Sequence, residues 1–157
     1  MSQQSFFERK AFSLYHRHIL HVITGLDVGG AEMMLFKLLA CLEKSGISSA
    51  VVSLAPTGSI GKKIEELGVP VFSLEMRPGQ IPTPLSFFRL LKISFELRPK
   101  IIQGWMYHGN IGATLVSFFL IRKANLYWNI RQTLNSLQDE NPLTARIILL
   151  NSKLSRL

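Results

Sequence analysis

Cys41 is the chain's single cysteine, so no internal disulfide can form. Long apolar runs are missing as well. A membrane-crossing helix needs roughly 18–20 apolar residues. The longest candidate, residues 111–121, is broken by Gly112, Thr114 and Ser117 and stops at Arg122-Lys123. The leader MSQQSFFERKAFSLYHRH has no apolar block of the kind a secretory signal carries. Zinc-ligand spacing, an RNA-binding aromatic box and runs of more than two adjacent Lys or Arg are all absent, which argues against nucleic acid as a partner. His16, His18 and His21 have no Cys or carboxylate at metal spacing, so neither a metal nor a cofactor is expected. No internal repeat or low-complexity segment occurs. What remains is a cytoplasmic globular chain able to bury a core without staples.

Acidic residues are the other scarcity: ten Asp and Glu stand against eighteen Lys and Arg, a net +8. The excess is uneven. Residues 1–80 carry eight basic and seven acidic side chains, and residues 81–157 carry ten and three. A basic half points to phosphorylated substrates or an anionic membrane surface, with a merely solvated cationic face as the alternative.

Short apolar runs alternate with amphipathic stretches. Strands are expected at residues 18–24, 49–54, 69–74, 100–103 and 125–129. Helices are expected at 31–44, at 60–67, from Pro84 to the Arg98-Pro99 stop, at 111–121 and at 142–154. Gly46 and Gly68 supply helix stop signals. In the Pro84 helix, Phe88, Leu91 and Phe95 share one stripe and Arg89, Lys92 and Glu96 another. Helical spacing assigns the pairs Phe87-Phe88 and Phe118-Phe119 to the core. Strands alternating with helices mean βαβ units, hence an α/β fold: a three-layer, Rossmann-like domain with a parallel sheet. Ligands in such sheets sit beyond the carboxyl ends of the strands. That rule selects loops at 25–30, 55–59, 75–82, 105–110 and 131–133. Residues 1–17 fall outside the pattern and are expected to form an appended arm, leaving 18–157 as the domain.

The turn after the first strand reads TGLDVGGAE, residues 24–32. Gly29 and Gly30 there are suited to close approach of backbone to phosphate and to φ values other residues avoid. The spacing G-x-x-x-G-G is not that of a dinucleotide fingerprint, and no acid closes the second strand to hold a ribose. A nucleotide-binding oxidoreductase is therefore disfavoured. Gly58-Ser59-Ile60-Gly61-Lys62 has the wrong spacing for a phosphate loop and reads as a turn and helix start. His108 follows the fourth strand, at the rim where ligands bind, and is the candidate catalytic side chain. Asn110 is placed to cap a helix. Arg131 is placed to hold phosphate or orient a substrate, a surface ion pair being the alternative. Trp105 and Tyr107 are aromatic candidates for a sugar or lipid site. His21 on its strand reads as a buried, hydrogen-bonded core residue.

HVITGLDVGGAE, Gly46 before the second strand, GWMYHGNIGA at 104–113 and WNIRQT at 128–133 together resemble the opening of family 4 glycosyltransferases, the retaining, nucleotide-sugar-dependent enzymes of GT-B fold. The resemblance spans residues 18–135. It implies one half of a GT-B fold, an amino-terminal acceptor-side domain, with envelope or polysaccharide glycans as products. It makes His108 a contact to the donor sugar, and Gly29 and Gly30 contacts to the donor diphosphate. Trp105, Tyr107, Asn110 and Arg131 become acceptor contacts. The implied partners are a nucleotide-sugar donor, a glycan or lipid-linked acceptor and a carboxyl-terminal GT-B domain. That second domain carries a glutamate pair spaced E-x7-E, a spacing this chain lacks. The expectation is an incomplete enzyme, inactive alone, that contacts an anionic membrane peripherally. The alternative is a non-catalytic binding module that retains the fold.

Overall fold

In a computed structural model the described residues are 18–77, 83–120, 124–130 and a few positions between 145 and 152. The order is β1 (Ile19–Ile23), α1 (Gly30–Lys44), β2 (Ser49–Ser53), α2 (Gly58–Glu66), β3 (Val71–Ser73), α3 (Pro84–Leu97), β4 (Ile101–Trp105), α4 (Met106–Phe119) and β5 (Asn125–Asn129). The expected arm at 1–17, the loop at 131–133 and Arg131 itself lie outside the described residues. So does most of 142–154, of which Ala145, Arg146, Ile148, Leu149 and Ser152 are helical.

All five strands run parallel, in the order β3-β2-β1-β4-β5. This is the Rossmann-like arrangement, with its switch point between β1 and β4. Strand alternation divides the core in two. Leu20, Val22, Ala50, Val52 and Ile102 pack on one face against Leu90 and Leu97 of α3 and Ala113 and Val116 of α4. Ile23, Val51 and Trp105 pack on the other against Leu35 and Leu39 of α1 and Ile60 and Ile64 of α2. A sheet covered on both faces explains why β2 is buried along its whole length.

Helix ends follow their chemistry. Gly46 and Gly68, just past α1 and α2, have φ of 73° and 85°, the left-handed conformation a helix stop favours. Thr83 caps α3 by accepting from the Ser86 amide at 3.2 Å, with Pro84 at the first helical position.

Two expectations fail, each for a packing reason. The segment 105–110 is not a loop. Trp105 ends β4 in register with Ile23, and α4 starts at the next residue. Its glycines are close-approach positions instead: a Cβ on Gly109 would strike the Val22 carbonyl, and one on Gly104 would lie 2.6 Å from Asn110 Oδ1. Met106 makes the turn in a left-handed conformation, φ 61°, that costs a non-glycine residue about 1–3 kcal/mol.

The second correction concerns α3. Its buried stripe is Ser86, Leu90, Ser94 and Leu97, while Phe88 and Phe95 face outward. The serine hydroxyls satisfy themselves on the helix's own backbone or cap: Ser94 donates to the Leu90 carbonyl and Ser86 to that of Thr83, both at 2.8 Å. Phe118 and Phe119 of α4 are likewise exposed rather than core.

Candidate functional site

Ile23 and Trp105 are partners in the β1–β4 register. The turn leaving β1 and the first turn of α4 therefore emerge side by side at the carboxyl edge of the sheet. The two helices that follow, α1 and α4, cover opposite faces. No side chain caps either amino terminus. Each helix end presents amide donors and the positive end of its dipole toward the crevice between the two strands.

Gly29 is the N-cap of α1 with φ −165°, an extended conformation any residue adopts, so the expected need for a glycine-only φ is corrected. Space is what these glycines provide. Nothing lies within 4 Å of where a Gly30 Cβ would be. At Gly29 the Glu32 carboxylate folds back over the Cα. A negative group thus already rests at the α1 terminus, where it favours the dipole, and an incoming anion must displace it.

The second turn is committed elsewhere. Ile60 and Gly61 donate their amides to the Leu26 carbonyl at 2.9 and 3.3 Å, and a Cβ on Gly58 would meet that carbonyl and Asp27. The α2 terminus therefore clasps the β1 turn, in keeping with a turn and helix start rather than a phosphate loop. Thr24 and Ala55 lock the same turns together through a 2.9 Å bond from the Ala55 amide to the Thr24 carbonyl.

His108 lies in the first turn of α4 and is half-buried. Burial lowers its pKa, which keeps the imidazole neutral and able to accept or donate a single proton at neutral pH. Tyr107 is buried beside it. Trp105 is enclosed in the core, where its Nε1 donates to His21 Nδ1 at 3.2 Å. His21 is fully buried, as its strand position suggests. Burial pushes its pKa down to about 4, weakly opposed by the neighbouring Gln103 side chain. Asn110 is the fifth residue of α4, fully buried and without a capping role. Its side-chain oxygen and nitrogen both lack hydrogen-bond partners, a cost tolerated where the residue sits close against Gly104 of β4. Of the expected site residues, the structure thus brings Gly29, Gly30 and His108 to one edge and places Trp105, Tyr107 and Asn110 beneath it.

Sequence reasoning missed two contributors. Glu32 shapes the α1 terminus, and its place in the first helical turn is a readable signal. Thr114 accepts from Trp128 Nε1 at 3.0 Å and donates to the Asn110 carbonyl at 2.7 Å, tying α4 to β5 behind the site. No sequence pattern announces that bond. Among the described residues no three His, Cys, Asp or Glu side chains group to hold a metal ion.

These features define a Rossmann-like α/β domain with its topological switch point between β1 and β4. No protein-family model matches the chain, and no curated protein does. Its structure is similar to that of the conserved protein TT1542 from Thermus thermophilus, with a TM-score of 0.53 and 14% sequence identity over 76% of this chain and 68% of that one. At that identity the likeness is one of fold.

Proposed function

We propose that the chain is the acceptor-side, amino-terminal domain of a retaining glycosyltransferase that uses a nucleotide sugar. The observation that supports it best is the convergence of two uncapped helix termini, α1 and α4, on one switch point, with a neutral His108 in the first turn of α4. Amide donors of residues 30–32 face the position a leaving diphosphate takes, and stabilising that charge lowers the barrier of glycosyl transfer. His108 contacts the donor sugar near the reacting carbon. The acceptor lies over the same edge, and a carboxyl-terminal GT-B domain closes the cleft and carries most donor contacts. Transfer needs both walls positioned together, so this domain by itself does not transfer sugar.

The Glu32 carboxylate resting against Gly29 favours a second reading, a binding module that keeps the fold without holding a diphosphate. Amide NMR titration with a nucleoside diphosphate separates the two. The transferase reading expects the resonances of Gly30, Ala31, Glu32 and His108 to move together. No response at these amides at millimolar ligand removes the diphosphate site and leaves the module.

A further inference from the structure

The two edges of the sheet are finished differently. β3 is three residues long and follows Pro70, and a short strand behind a proline is a poor template for another chain. β5 has neither protection. It runs five residues with no proline and no charged side chain. Among the described residues β4 is its one neighbouring strand. The Asn125 amide donates to the Lys100 carbonyl at 2.9 Å, which turns the main-chain groups of Asn125, Tyr127 and Asn129 toward β4. Alternate residues of a parallel ladder point the other way, so the amides and carbonyls of Leu126 and Trp128 face outward from the sheet.

The side chains of this edge are symmetric about its middle. In either direction from Tyr127 the chain meets a large apolar residue, Leu126 or Trp128, then an asparagine, Asn125 or Asn129, then Ala124 or Ile130. Tyr127 is 55% exposed, on the sheet face opposite the one from which Trp128 reaches Thr114 of α4. An antiparallel copy crossing at Tyr127 sets Leu126 opposite Trp128 of the second copy, and the outward amides and carbonyls of both then bond to each other. Tyr127 meets Tyr127 in the non-hydrogen-bonded position, where Cα atoms lie about 4.5 Å apart and side chains stand closest. This register pairs every residue of the strand. An unrelated peptide has no use for the symmetry, and no charge on β5 opposes its twin although each chain carries +8. We propose that β5 pairs antiparallel with β5 of a second copy about Tyr127, joining two sheets across a two-fold axis. The pairing is independent of whether the β1–β4 crevice binds a donor.

Sedimentation velocity of the full chain over a concentration series, with amide exchange of Leu126 and Trp128 followed by NMR, tests this. A dimer should form as concentration rises, and it should tighten as salt screens the like charge of the two copies. The two amides should gain protection only where the dimer forms. Tyr127→Lys sets like charges opposite each other on the axis and should weaken the dimer about tenfold, with the melting temperature of the dilute chain little changed. Tyr127→Phe keeps the ring pair and should dimerise as the parent does. A chain that stays monomeric up to millimolar concentration overturns the proposal, as does a dimer that Tyr127→Lys leaves intact. So does full protection of Leu126 and Trp128 in the dilute monomer, which would mean that the chain covers this edge itself.

Discussion

Trp105 reaches across the β1–β4 pair to donate its indole proton to His21, 3.2 Å away, within a fully buried setting. The bond fixes His21 as the neutral tautomer with Nδ1 unprotonated and the proton on Nε2. A protonated imidazole would lose this acceptor and place an uncompensated charge between two core layers.

Stability should therefore fall on mild acidification. The unfolded chain binds a proton at His21 near the ordinary value of 6.5, and the folded chain only at about 4. Above 6.5 neither state is protonated there, and the full stability is present. As pH drops from 6.5 toward 4 the unfolded state gains protons first, and about 3 kcal/mol is lost. Urea unfolding across that range measures it. His21→Leu should flatten most of the dependence, and an unchanged pH profile in that variant would assign it to other groups.

Two glycines of the crevice should respond oppositely to alanine. Gly109→Ala drives a methyl into the Val22 carbonyl, which the helix can relieve only by moving off the sheet, at about 1–3 kcal/mol. Gly30→Ala meets open space in a helical position and should be neutral or raise stability by up to about 1 kcal/mol. Equal effects in thermal melts would contradict this picture of α4 pressed onto β1.

The rotation of α3 has its own test. Leu90→Ala removes a buried core side chain and should cost about 2–5 kcal/mol. Phe88→Ala, on the outward face, should stay within about 0.5 kcal/mol of the parent protein. The reverse ranking in denaturant titrations would turn the helix back to the orientation its apolar stripe suggests.

His108 is tested once the proposed second domain is supplied. His108→Ala should lower sugar transfer by orders of magnitude with little change in melting temperature, because the side chain is half-buried at the edge. Its pKa lies below the usual 6.5, so the parent's rate should hold through neutral pH and decline only on the acid side, where protonation removes the acceptor. A near-normal rate in the variant makes His108 a structural residue.

The sheet was legible because each strand is a short apolar run bounded by a turn signal, as in HILHVIT and SAVVSL. The stops at Gly46 and Gly68 and the buried place of His21 were legible for equally local reasons. Packing misled where one residue type serves two ends. Glycines in GWMYHGNIGA look like a loop, yet they mark a helix seated on β1, since only the neighbour's carbonyl distinguishes the two uses. The stripe of Phe88, Leu91 and Phe95 looks like a core face because periodicity reports that a face exists, not which way it turns. At the candidate site, Gly29, Gly30 and His108 lie at the edge their motifs suggest. Burial of Trp105 and Asn110 depended on a register that no single segment encodes.

The strained junction at Met106 leaves His108 without a tether of its own. Strand and helix meet at one peptide, and the helix is pinned at Gly109 and again at Thr114. A backbone borne on a loop adjusts to its ligand, but the backbone that carries His108 is seated on the sheet. Whatever binds at this edge must come to the imidazole as a lock comes to a fixed key, because the turn after β1 that faces it is itself held through the Thr24 and Leu26 carbonyls.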